Sequence, residues 1–251
     1  NPRAAPVTNA TLLSNLNSTG EGLKLENLLS TEPDSLSEGQ QIAFNGNVGF
    51  SSHFRWRPEP EVSFLESVDL RFSIEGNDLQ LRGADLDKFI DNFKRSQKFN
   101  LADVSAVMFA GPAGLAITKG GDYASLAFAS KGDSTHVGKF LAEWSLNDGE
   151  LKTNDVALST LRYRLSVDGK YNMVNDSLGF GFHVLDKKGC EMVGQRIYGS
   201  SKKIKMGRVK LIKTFLGPVK NFFYDLGMVK CNIVYSGRVE HPIFKKKKKG
   251  S

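Results

Sequence analysis

The chain has 251 residues, 40% of them hydrophobic and 24% charged, which is the composition of a folded protein with one large β-rich domain's worth of core. Its net charge of +7 is mostly local: Lys245, Lys246, Lys247, Lys248 and Lys249 supply five charges, and removing those five from +7 leaves a body at +2. A nearly neutral body gives no basic face interleaved with aromatics, so nucleic acid is excluded as an expected partner.

Residues 1–60 are rich in Ser, Thr, Asn, Gly and Pro and read as a weakly specified connector with one helix and one strand. The chain opens Asn1-Pro-Arg-Ala-Ala-Pro, without a methionine or an apolar segment, so if the protein is exported its targeting element is expected to have been removed or to lie upstream. The longest uncharged run, Val104 to Thr118, is broken by Gly111-Pro112 and is too short to span a bilayer.

From Val68 the pattern sharpens. Val68, Leu70, Phe72 and Ile74 alternate with polar residues, Gly76-Asn77-Asp78 reads as a turn, and Leu79 and Leu81 alternate on a return strand, which predicts a hairpin. Leu86, Phe89, Ile90 and Phe93 then recur at helical spacing over Ala84–Arg95, with Asp85 and Asp87 where acids favour a helix start. Phe99 to Thr118 reads as a short buried helix, and Ser125 to Ala129 fits either strand or helix.

Strand character returns at Val137. Phe140 to Leu146 leads into the turn Asn147-Asp148-Gly149 and a return strand from Glu150. Next, Leu161, Tyr163, Leu165 and Val167 share one face, opposite Arg162, Arg164, Ser166 and Asp168. After Asn175-Asp176, Leu178, Phe180, Phe182 and Val184 alternate with Gly179, Gly181 and His183. These runs predict a meander of antiparallel strands with one apolar face. Leu211 to Leu226 carries an apolar helical stripe interrupted by Gly217-Pro218, and predicts a kinked helix or helix pair over the sheet. Short strands are expected after Cys190 and after Cys231.

The predicted fold is mostly β: antiparallel strands in a curved, twisted sheet or open groove with a few covering helices. Residues 1–60 form the N-terminal portion, 61–244 the β-rich domain and 245–251 a basic tail.

The motifs for chemistry are sparse. His53, His136, His183 and His241 are scattered, and His183 reads as a solvated or locally bonded side chain. No phosphate-binding loop or nucleophile elbow occurs. Asp85, Asp87 and Asp91 share one helix, but helix-start electrostatics account for the first two, so neither a metal nor another cofactor is expected and nothing argues for an enzyme. Cys190 and Cys231, with 40 residues between them, read either as one staple in an oxidising compartment or as two ordinary buried thiols.

Several runs taken together resemble a known family. They are Leu81-Arg-Gly-Ala-Asp-Leu-Asp-Lys-Phe-Ile, Phe99-Asn-Leu-Ala-Asp-Val, Phe109-Ala-Gly-Pro-Ala-Gly-Leu-Ala-Ile-Thr-Lys-Gly-Gly-Asp-Tyr-Ala-Ser-Leu, Asp148-Gly-Glu-Leu-Lys-Thr-Asn-Asp-Val-Ala-Leu, Gly189-Cys-Glu-Met-Val-Gly-Gln-Arg-Ile-Tyr-Gly, Leu216-Gly-Pro-Val and Cys231-Asn-Ile-Val-Tyr-Ser-Gly-Arg-Val. In this order they resemble the C-terminal region of the AsmA-like family of Gram-negative bacteria, over roughly residues 68–242. The resemblance implies a periplasmic protein with an inner-membrane anchor lying upstream, a β-rich groove that carries phospholipid between inner and outer membranes, and a Cys190–Cys231 disulfide. On that reading Phe72, Leu81, Tyr163, Leu165, Phe180 and Phe182 are groove candidates, against the plainer alternative of an ordinary core. The lysines at 245–249 are candidates for contact with an anionic membrane surface. Expected partners are phospholipid or a membrane surface and other envelope proteins. The competing expectation is a structural or assembly factor that contacts envelope proteins through exposed strand edges and binds no lipid.

Overall fold

The computed structural model describes residues 14–24, 43–82, 85–96, 134–211 and 233–242. In chain order they form β1 (Ser14–Lys24), β2 (Ala43–Asn45), β3 (Asn47–Trp56), β4 (Val68–Arg82), α1 (Leu86–Ser96), β5 (Ser134–Asn147), β6 (Glu150–Ser159), β7 (Arg164–Asn172), β8 (Ser177–Leu185), β9 (Glu191–Ser200), β10 (Lys203–Met206) and β11 (Lys210–Leu211). All the strands join one antiparallel sheet of order β1-β3-β4-β5-β6-β7-β8-β9-β10, with β2 on β4 and β11 on β9, and the sheet does not close into a barrel. This is the mostly β architecture that the alternation predicts. The helical stripe from 212 onward, the runs at 99–118 and 125–129, and the lysines at 245–249 lie outside the described residues.

The stretch expected to be a connector contributes three strands: β1 pairs with β3 from Ser14↔Trp56 to Lys24↔Asn47. Its composition hides them because β1 and β3 are rich in Ser, Asn and Gly rather than branched apolar residues.

The hairpin predicted at Gly76-Asn77-Asp78 is absent. β4 runs straight through, keeping one register with β5 from Leu70↔Leu146 to Arg82↔Ser134. On its other side Asn45 faces Gln80 while Val48 faces Gly76, so β4 carries one residue more than β2–β3 across that interval. Asp78 sits there at φ 53°. A bulge and a tight turn need the same residue types, because both place one residue in the left-handed region, and the sequence cannot tell them apart. By contrast Asp148-Gly149 is a true two-residue hairpin. Both residues have positive φ, 49° and 69°, as the turn matching the twist of its flanking strands requires.

Helix α1 starts where its acids predict. Asp85 caps it, its Oδ1 accepting the Lys88 N–H at 2.9 Å, and Asp87 lies in the first turn. The helix buries Leu86, Phe89 and Ile90 against the sheet, and the Leu86 N–H donates to Thr135 Oγ1 at 2.8 Å. Asp87 accepts the Thr160 hydroxyl, while Asp91 takes both Arg162 and the Tyr163 hydroxyl. The three aspartates therefore cap α1 and bind the β6–β7 turn; among the described residues no group of acids, histidines and cysteines could hold a metal. That turn also lifts Leu161 off the predicted apolar face. It is 58% exposed because Thr160 N–H donates to Tyr163 O and the strand begins only at Arg164.

Candidate functional site

The sheet separates the six groove candidates into two groups. Leu81 (0% exposed), Leu165 (1%), Tyr163 and Phe182 belong to the packed core with the α1 side chains and offer no open surface. Phe72 and Phe180 are only half-buried. Between them stands Trp144, which alternation along β5 places on the same face but which sequence reasoning passed over. Phe72 stacks on Trp144 with ring centroids 6.4 Å apart and planes 12° from parallel, and Trp144 meets Phe180 edge-on at 6.1 Å.

Two intervening strands make room for this row. Trp144 faces Thr153 on β6, and Phe180 faces Gly169 on β7. Thr153 Oγ1 accepts the Gly169 N–H at 2.9 Å and donates to Gly169 O at 3.2 Å, across an irregularity in β6–β7 pairing between Lys152 and Val156. Gly169 has φ 146°, and a Cβ there would lie 2.2 Å from Gly179 O and 2.7 Å from the Phe180 Cα. Only glycine fits, and its small surface lets Phe180 reach Trp144. The result is a half-buried aromatic row from β4 to β8, flanked by the partly buried Ile74 and Leu178.

The opposite face is polar in sequence but not uniformly wet. Arg164, Ser166 and His183 are buried, so the expectation of a solvated His183 gives way to the locally bonded alternative. The cover is residues 233–242. Tyr235 donates from its hydroxyl to Asp155 at 2.6 Å, and the Arg238 N–H donates to the other oxygen of that carboxylate at 2.8 Å. Arg238 also pairs with Glu143, and Arg164 donates to Val239 O at 3.1 Å while lying 5.3 Å from the centroid of the Tyr235 ring. Burial and the Asp155 hydrogen bond push the Tyr235 hydroxyl well above its ordinary pKa, so it stays a donor. Tyr235 and Val234 donate their N–H groups to Gly189 O, beside Cys190. Cys190 is buried and disulfide-bonded, and the chain's other cysteine, Cys231, lies outside the described residues. The strand expected after Cys231 reduces, among the described residues, to one isolated bridge, Cys190↔Ile233. Side-chain clamps replace the ladder there.

His183, 2% exposed, lies between Asp168 at Nε2 and Glu191 at Nδ1 (3.1 Å), on the strands either side of its own. Arg196 stands 4.0 Å from Asp168. Burial opposes a charge on the ring, but the hydrogen bonds and charges of the two carboxylates outweigh it and hold the His183 pKa above its ordinary value. Asp168 is likewise destabilised by burial yet ends below its ordinary pKa because of His183. Ser166 is the register neighbour of His183, but both ring nitrogens are committed to carboxylates, which leaves the ring unable to serve Ser166 as a base.

Comparison of the chain with protein-family models, with curated proteins and with solved structures finds no match.

Proposed function

We propose that this chain is the C-terminal region of an AsmA-like envelope protein that contacts phospholipid acyl chains without catalysing a reaction. It would act in the periplasm, on lipid moving between the inner and outer membranes. The observation that carries the reading is the half-buried row Phe72–Trp144–Phe180 on an open, unclosed sheet. Acyl chains require continuous apolar surface and few polar atoms, and a cross-strand aromatic row provides that. The disulfide at Cys190 fits an oxidising compartment, and the resemblance of the runs between 68 and 242 supplies the envelope context. The lysines at 245–249 would add attraction to anionic head groups, about 1 kcal/mol each near such a surface. The commitment of both His183 nitrogens supports the non-catalytic part of the reading.

One observation favours the scaffold alternative: β1 ends the strand order, and on it Leu16 is 63% exposed. An edge strand with apolar side chains is a template for pairing with another protein.

Native mass spectrometry of protein purified without added lipid tests the proposal. Co-purifying phospholipid that is lost in Phe180→Asp, with the melting temperature retained, is the expected result; a clean mass that stays unchanged after incubation with phospholipid vesicles would move the assignment to the scaffold. Leu165 is unsuitable for this test, because an aspartate at a fully buried position unfolds the core instead of altering a surface.

A further inference from the structure

Strands β1, β3, β4 and β5 present a depression of about 620 Å³ lined by hydroxyl and amide groups, His53, Arg71 and Glu143, with Phe72 and Trp144 also bordering it. Register explains its composition. One cross-strand row runs Asn17, His53, Arg71, Ser145 and then Lys152 on β6. The next row runs Thr19, Ser51, Ser73 and Glu143. Neighbouring strands lie about 4.8 Å apart, so Arg71 and Lys152, two strands apart in one row, have their backbones about 10 Å apart with Ser145 between them.

The charges in these two rows are treated differently. Glu143 pairs with Arg238, and its cross-strand neighbour Asp155 is held by Tyr235 and by the Arg238 N–H. Glu75, one position along, pairs with Lys139 at 2.9 Å. Three acids thus share two cations and the Tyr235 hydroxyl. Among the described residues Arg71 and Lys152 have no acid within 4 Å, and nothing donates to or accepts from either side chain. The depression therefore offers the uncommitted Arg71, with the Thr19, Ser51 and Ser73 hydroxyls in the adjoining row, while Lys152 stands outside the lining beyond Ser145.

We propose that this depression binds a phosphate ester, with Arg71 as the principal ligand, the row of hydroxyls completing the contacts and Lys152 within reach at its margin. A guanidinium fork matches two oxygens of one phosphate, and an ammonium and hydroxyls satisfy the remaining acceptors. A carboxylate, with two oxygens, would use fewer of these donors. Strand alternation points Arg71 away from Phe72, although Phe72 and Trp144 also border the depression, so the test alters Arg71 and leaves the aromatic row intact.

The phosphate could belong to a soluble ester or to a lipid head group, and two arms distinguish these sources. Titration calorimetry with glycerol phosphate reads the soluble form. Flotation with phosphatidylglycerol vesicles at low salt reads the head group, using the full chain so that its basic tail is constant. Arg71→Gln is the test variant, and Arg208→Gln removes the same charge from an exposed position outside the depression. Both are surface changes, so melting temperature is expected to stay within a few degrees. The expected result is at least a tenfold loss of affinity in one or both arms for Arg71→Gln and less than a twofold change for Arg208→Gln. Equal losses in the two variants, no loss in Arg71→Gln, or no binding of either probe by the unaltered protein would overturn the proposal.

Discussion

One imidazole ties three strands together on the polar face. A ring between Asp168 and Glu191 can donate to both only when doubly protonated, and the structure favours that form. Because the folded pKa of His183 is raised, its contribution to stability is complete below the ordinary value of 6.5 and is lost as pH rises through the folded pKa. Asp168 has a depressed folded pKa, so its contribution is present above its ordinary 3.8 and is lost as pH falls through the folded value. Between those limits both contributions operate. His183→Gln is expected to flatten the loss of stability on the alkaline side, measured as melting temperature from pH 5 to 9. A variant that keeps the same slope there would show that the clamp does not titrate as described. In the sequence His183 was visible only as one polar residue alternating with Phe182 and Val184. Its burial depends on cover and partners from elsewhere in the chain, and periodicity records neither.

Glycines that look alike in the strands β7 and β8 have opposite roles. Gly169 adopts φ 146° with backbone atoms closer than any Cβ can tolerate, whereas a Cβ at Gly179 would meet nothing within 4 Å. Gly169→Ala is therefore expected to cost about 3 kcal/mol through strain and overpacking, while Gly179→Ala should be neutral or slightly stabilising. For a chain of this size that is a fall of about 6–12 °C in melting temperature for the first and little change for the second. Similar melting temperatures for the two would mean that the Thr153–Gly169 irregularity is not a fixed feature. The strands themselves were legible, because Leu178, Phe180, Phe182 and Val184 keep a strict period of two. The breaks in that period were not: Asp78 in a bulge and Asp148 in a hairpin turn share the same backbone conformation, and only the partner strand distinguishes them.

The whole sheet has two covers of different kinds. Helix α1 packs its apolar stripe onto one face, and the helical spacing of Leu86, Phe89 and Ile90 made it predictable. The 233–242 segment covers the other face through Tyr235, Arg238 and Val239, a mixture with no periodic signature, so its role could not be read beforehand. Of the six residues expected to line a groove, four joined the packed core that also holds the α1 side chains; Phe72 and Phe180 stayed half-buried with Trp144 between them. The disulfide at Cys190 secures the strand start beside the second cover. Cys190→Ser removes the constraint on a loop of about 40 residues, worth about 4 kcal/mol on chain entropy, and is expected to lower the melting temperature by about 8–16 °C under non-reducing conditions. No change on substitution or on reduction would show that the side-chain clamps alone hold the segment.

The central claim is that the aromatic row meets acyl chains, and Trp144 is its own reporter. With Trp56→Phe leaving Trp144 as the single tryptophan of the chain, fluorescence is read on titration with phospholipid brominated along its acyl chains. Contact quenches the indole, so the account predicts strong quenching by the brominated lipid, none by the unbrominated lipid, and loss of the effect in Phe180→Asp. Trp144 emission unchanged by brominated phospholipid in the folded protein would contradict it.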